Sequence, residues 1–299
     1  ELSKRVGTFT DSVIRRMTRI SDSTPGSINL SQGFPDFDPP KEILEALKKN
    51  AEGGPQHQYS IPFGAENIRK CVEEKYSPLF GREIDPDKEV VITCGSTEAM
   101  MASMMTVCNP GDNVIVFSPF YENYGADAIL SGANPIYVDL VPPAFSFDKE
   151  KLEEAFKNNV KSIIVCNPSN PCGKVFTKKE LEFIVGLAVK YDAFVITDEV
   201  YEHIIFAPHE HTYCASLPSA WGRVITCNSL SKTFSINDSS FSAAASTNIL
   251  CSSRAFSFSS SGISSIIGIP PSGFQVYFFI NKTSIISLNS GPVLTGYCI

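Results

Sequence analysis

Six short β-branched runs alternating with longer stretches that are apolar at helical spacing constrain this chain more than any other feature. The runs are "VVIT" (90–93), "NVIVFS" (113–118), "NPIYVDL" (134–140), "KSIIVC" (161–166), "AFVITD" (193–198) and "RVITC" (223–227). The stretches between them are "TEAMMASMMTVC", "YENYGADAILSG", "KEKLEEAFKNN" and "TKKELEFIVGLAVKY". The last opens on Thr177 with Glu180 three residues later, the spacing of a capping box. Strands that alternate with helices pair in parallel, because each crossover helix packs back onto the sheet. The expected fold is therefore α/β, a mostly parallel sheet with helices on both faces. On such a sheet ligands bind outside the carboxyl ends of the strands, so chemistry is sought in the residues that follow each run.

Those residues are not random. "VVIT" leads into "CGSTEA", where Gly95 permits close backbone approach and Ser96 and Thr97 open a helix whose first amides suit a phosphate. "NVIVFS" leads into "PFYENY", where Tyr121 offers an aromatic face to a planar ligand. "KSIIVC" leads into "NPSNPCG", whose Asn-Pro turns hold Asn170 at the sheet edge. "AFVIT" ends at Asp198 with Tyr201 three residues on, and "RVITC" is followed by Ser229 and Lys232 in "NSLSK". Each alone is an ordinary structural device: a helix N-cap, a packed ring, a strand-to-helix turn, a surface lysine. Together and in this order they place an acid, an amine, a phosphate cradle and an aromatic lid along one edge.

Composition narrows the partners. With 299 residues and 43% hydrophobic content the chain can bury a substantial core in one large or two ordinary domains. A formal net charge of -7 disfavours nucleic acid and anionic membrane surfaces, which need a basic face, and favours small-molecule partners. No apolar run approaches the roughly 20 residues that cross a bilayer, and the N-terminal "ELSKRVGTFTDSVIRRM" lacks the order of a secretory signal. A cytoplasmic location is expected, with the basic "VIRRMTRI" compatible with an organellar leader upstream. The nine cysteines include no C-x-x-C pair, so reduced core thiols are expected rather than a metal site or a disulfide framework.

On "NLSQGFPDF", "QYSIPFG", "CGSTEA", "PFYENY", "NPSNPCGKVF", "ITDEVYEH" and "NSLSKTFS", the segment from about Asn29 to Ser235 resembles the class I/II aminotransferases. These are fold type I pyridoxal 5'-phosphate enzymes, and the resemblance is strongest to the kynurenine/glutamine transaminase branch. It implies transfer of an amino group from an aromatic, sulfur-containing or glutamine-like L-amino acid to a 2-oxo acid by way of a lysine Schiff base. Lys232 would carry the cofactor and then act as general base and acid. Asp198 would hold the pyridine nitrogen protonated, and Tyr201 and Asn170 would bond the ring's phenolic oxygen. Tyr121 would stack on the ring, while Gly95, Ser96, Thr97 and Ser229 would cradle the phosphate. Tyr59 would reach the phosphate of a neighbouring subunit in a homodimer, and Gly33 and Asn170 would border the substrate carboxylate.

The resemblance also implies a division into an N-terminal arm and small-domain segment (1–48), a cofactor-binding large domain (49–236) and a Ser-rich segment outside the family pattern (237–299). Past residue 236 the texture changes: 3 charged residues in 63, against 54 in the preceding 236, and 16 serines. The family pattern S-K-T-[FY]-S-x-T-G-W-R places a phosphate-binding arginine eight positions after the lysine, where this chain has Ser240. Arg254 lies too near the lysine to stand for the family's substrate-carboxylate arginine. The resemblance further implies a strand between "VVIT" and "RVITC", a position that "FQVYFFI" (274–280) has the composition to fill. Two other readings of the same residues are a carbon-sulfur β-lyase, which needs no 2-oxo acid acceptor, and a truncated, inactive form.

Overall fold

A computed structural model describes residues 4, 7, 12–31, 33, 38–52 and 59–232. The 237–299 segment, with Ser240, Arg254 and "FQVYFFI", lies outside the described residues.

The strands among the described residues are β1 (Asn113–Ser118), β2 (Asn134–Asp139), β3 (Val160–Cys166), β4 (Phe194–Asp198) and β5 (Val224–Cys227). They form one sheet of order β2-β1-β3-β4-β5, every pairing parallel. The α-helices among the described residues are α1 (Val13–Asp22), α2 (Lys41–Ala51), α3 (Glu66–Phe80), α4 (Gly95–Val107), α5 (Asn123–Leu130), α6 (Lys149–Phe156) and α7 (Lys178–Lys190). Thr177 and Glu180 close the expected capping box at α7, the Thr177 amide donating to Glu180 Oε2 at 2.8 Å.

The period of two along the strands divides the core. Val114, Val116, Ile164, Cys166, Ile196, Ile225 and Cys227 pack with α4 and α5 on one face. Their neighbours Ile115, Phe117, Ile163, Val165, Val195 and Val224 pack with α3, α6 and α7 on the other. Both faces are therefore dry, which is why these strands read as continuous β-branched runs instead of alternating with polar residues. Side chains such as Leu181 and Phe156, at 0% and 1% exposure, each contribute about 1.5–3 kcal/mol by leaving water.

One expected strand is absent among the described residues. Residues 90–93 are largely buried, with Ile92 at 0% exposure, but they form no ladder with the described residues. The Ile92 amide donates to Phe63 O at 3.0 Å, which ties the run to a turn. Burial and β-branching make a run look like a strand, but a strand also needs an adjacent backbone, and among the described residues none lies alongside.

The order β2-β1-β3 makes the chain change direction across the sheet between β1 and β3. The loops after those two strands consequently diverge and leave a crevice at the carboxyl edge.

Candidate functional site

The crevice is open to solvent, and its lining includes Phe117, Phe120, Tyr124, Cys166, Asn170 and Phe176. Of the residues singled out from the sequence, Asn170 is in this lining.

Asp198 ends β4, in register with Cys166 of β3 and Cys227 of β5. Because it follows Ile196 by two residues, its side chain lies on the α4/α5 face. There the Tyr124 hydroxyl of α5 donates to Asp198 Oδ2 at 2.7 Å, and the Val200 amide donates to Oδ1 at 3.3 Å. The carboxyl is 5% exposed, and burial pushes its pKa up. The two hydrogen bonds and the Lys232 charge oppose that rise, while the charge of Glu199 adds to it. Glu199 lies one residue on and on the other face, paired through Oε2 with His211 Nε2 at 2.9 Å.

Lys232 follows β5 and is partly buried. Burial lowers its amine pKa and the Asp198 charge raises it, so acid and amine are near enough for each to feel the other. A lowered pKa increases the neutral fraction, which is the nucleophilic one. Tyr201 is pushed up to about 12, first by burial and then by Asp198, and its hydroxyl shares a hydrogen bond with the Asn170 side chain. The structure thus brings these two side chains together. Tyr121 meets Tyr124 edge to face, with centroids 5.7 Å apart and planes at 77°, so the Tyr121 ring borders the tyrosine that holds Asp198.

At the start of α4, Gly95 adopts φ +77, a left-handed conformation in which a side chain would be strained. Thr93 Oγ1 donates to Gly95 O at 3.0 Å and the Cys94 amide bonds the Glu98 carboxylate, which sets the entry of the helix. Ser96 and Thr97 occupy the first turn, where backbone amides lack intrahelical acceptors. Ser229 is buried, its hydroxyl donating to Ser231 Oγ at 2.8 Å and its amide to Asn228 Oδ1 at 2.7 Å. Gly33 and Tyr59 do not join this group: a side chain added at Gly33 would meet nothing within 4 Å, and Tyr59 is 104% exposed.

Two residues of the site went unread in the sequence. Tyr124 is the direct partner of Asp198, and its signal was an aromatic three residues after Tyr121, the spacing of one helical face. Asp127, one turn further, is 5% exposed with Oδ2 lacking a hydrogen-bond partner. Burial first and the Asp198 charge second push its carboxyl up to about 7.

The described cysteines are free thiols, buried at 71, 108, 166, 214 and 227 and partly buried at 94 and 172. None of the helices described is long and apolar enough to cross a membrane.

Residues 25–264 match the family aminotransferase class I and II. Kynurenine–oxoglutarate transaminase 3 of Mus musculus is 35% identical over 244 residues, covering 78% of this chain and 53% of that protein. Kynurenine–oxoglutarate transaminase of Dictyostelium discoideum is 37% identical over 227 residues, covering 70% of this chain and 52% of that protein. The chain thus spans about half the length of these curated relatives. Among solved structures, N-succinyldiaminopimelate aminotransferase from Mycobacterium tuberculosis superposes with a TM-score of 0.73 at 33% identity, covering 78% of this chain and 61% of that one.

Proposed function

Because the chain belongs to the class I and II aminotransferases, we propose that it holds pyridoxal 5'-phosphate and moves an amino group from an aromatic, sulfur-containing or glutamine-like L-amino acid to a 2-oxo acid. The observation that carries this reading is the buried Asp198 carboxyl beside the partly buried amine of Lys232, at the carboxyl edge of a parallel sheet. An isolated carboxylate at that depth is costly, and a cationic ring nitrogen would offset the cost, so the donor set fits the cofactor. The names of the kynurenine–oxoglutarate transaminases support the choice of donors and acceptor.

The cofactor supplies, when bound, an aldehyde that takes the amino group and a ring that accepts electrons from the substrate carbon. Asp198, with Tyr124 holding Oδ2 in place, would accept the hydrogen bond of the ring nitrogen. Lys232 Nζ would anchor the group and then take and return the proton at the substrate's α-carbon. Tyr201 and Asn170 would bond the ring oxygen, and Tyr121 would cover the ring. Gly95, Ser96, Thr97 and Ser229 would hold the phosphate. Gly33 borders the substrate carboxylate, and Tyr59, exposed in the single chain, serves the site of a second copy in a homodimer. Residues 49–236 form the cofactor-binding domain, preceded by an arm and small-domain segment at 1–48, and the protein works in the cytoplasm.

Borohydride reduction after incubation with pyridoxal phosphate, followed by peptide mass spectrometry, tests the anchor. The pyridoxyl mass is expected on Lys232 and lost in Lys232→Ala; no adduct, or an adduct on other lysines at equal yield, overturns the assignment. Keto-acid release from the amino donor is expected only when a 2-oxo acid is supplied, and release without an acceptor overturns the transfer reading.

A further inference from the structure

Lys232 sits on a loop that has left the sheet. Beyond Cys227 the segment 228–231 carries no strand ladder, so side-chain bonds and the buried Leu230, 2% exposed, must fix it. The polar anchor reaches it from α3. Asn228, 1% exposed, donates from Nδ2 to the Tyr76 hydroxyl at 3.0 Å, while its Oδ1 accepts the Ser229 amide at 2.7 Å. Tyr76, 0% exposed, donates its own proton to Glu202 Oε1 at 2.8 Å and accepts from Lys75 Nζ at 3.1 Å. Glu202 directly follows Tyr201, and Lys75 pairs with it at 2.8 Å. One phenolic oxygen, with its proton and both lone pairs engaged, therefore links the loop of the amine to the loop of Tyr201 and Asp198.

We infer that Tyr76 is a positioning residue for Lys232: its hydroxyl, acting through Asn228, sets where the amine stands relative to Asp198 and Tyr201. The inference rests on the reading of Lys232 as the cofactor lysine. The groups facing this hydroxyl are Lys75 from α3, Glu202 from the loop after β4 with the Glu199 charge behind it, and Tyr213 edge-on at 6.0 Å; His203 meets Lys75 Nζ at 3.4 Å. Asp198 is the charged group that shifts Lys232. Replacing the hydroxyl by hydrogen leaves the Asn228 amide buried without this acceptor, so the side chain turns away to find another. The loop then loosens and water reaches the amine. Since burial is the larger influence on Lys232, its pKa rises toward the ordinary lysine value.

Tyr76→Phe, Asn228→Ala and their double variant test this by three measurements: the pH midpoint of Lys232 labelling without cofactor, the dissociation constant for pyridoxal phosphate, and thermal unfolding. Tyr76→Phe is expected to raise the labelling midpoint and weaken cofactor binding about five- to tenfold. Asn228→Ala is expected to do the same, and the double variant to lose no more than Asn228→Ala alone. An unchanged midpoint in folded single variants, or additive losses in the double variant, overturns the inference. If Tyr76→Phe fails to fold, Asn228→Ala decides alone, because it cuts the link while leaving the Tyr76–Glu202 bond in place. If the wild type takes up no cofactor, the proposed function fails, yet the labelling midpoint still decides this point.

Discussion

Replacing Asp127 by asparagine should make the protein more stable at alkaline pH, although it removes a charge and adds nothing the surroundings can bond. The wild-type carboxyl is 5% exposed, its Oδ2 lacks a partner, and its pKa is pushed from 3.8 to about 7. In the unfolded chain the group ionises near 3.8, whereas in the folded chain it keeps its proton to about 7. Across that window the folded state binds the extra proton, so stability falls as pH rises and the loss is complete above about 7. At about 1.4 kcal/mol per unit, the loss sums to roughly 4 kcal/mol. Asparagine escapes this loss but buries an amide without assured acceptors, which costs about 1–3 kcal/mol. The expected balance is a gain of roughly 1–3 kcal/mol at pH 8.5, shrinking and then reversing as the buffer is taken down to pH 5. Urea unfolding at several pH values measures it, and the telling quantity is the difference between the two proteins, because groups common to both cancel. Between pH 5 and pH 7 that difference should change by about 1.4 kcal/mol per unit. Parallel stability curves would refute the argument that Asp127 holds a proton in the folded state.

Two further substitutions read other parts of the structure. Tyr124→Phe keeps the ring and removes the bond to Asp198 Oδ2, a bond to a buried carboxyl worth about 1.5–3 kcal/mol. Weaker pyridoxal phosphate binding, by about tenfold or more, is expected with an unchanged circular dichroism spectrum, and full retention of affinity would contradict the role given to Tyr124. Thr177→Ala opens the capping box of α7 and should cost about 1 kcal/mol of unfolding free energy, seen by urea titration.

The strands that proved legible are those whose burial and pairing go together. β1, β3, β4 and β5 are buried on both faces and each has a parallel neighbour, and β2, expected from "NPIYVDL", is half-buried at the sheet edge beside β1. Residues 90–93 have the same composition and burial yet form no ladder, because pairing depends on another backbone and composition records only the environment of the side chains. The site divides in the same way. Asp198, Tyr201, Asn170 and Lys232 follow strands directly, and the topology carries them to one edge. Tyr124 and Tyr76 meet their partners across 74 and 152 positions of sequence, and no local pattern encodes such a meeting. Asp127 was unreadable for another reason: an acid on a helix normally faces solvent, and only the packing of α5 against the sheet buries this one.

The strand order also sets a timetable for synthesis. Once β1 and β2 have joined, β3 adds on the other side of β1, then β4 beside β3 and β5 beside β4, so each strand leaving the ribosome finds its partner already made. A nascent chain stopped after Phe176 would already own the residues that line the aromatic crevice, but neither the acid nor the amine. The chemical groups arrive with the last two strands, so a half-made polypeptide has a shape that can receive a ring and no means of acting on it.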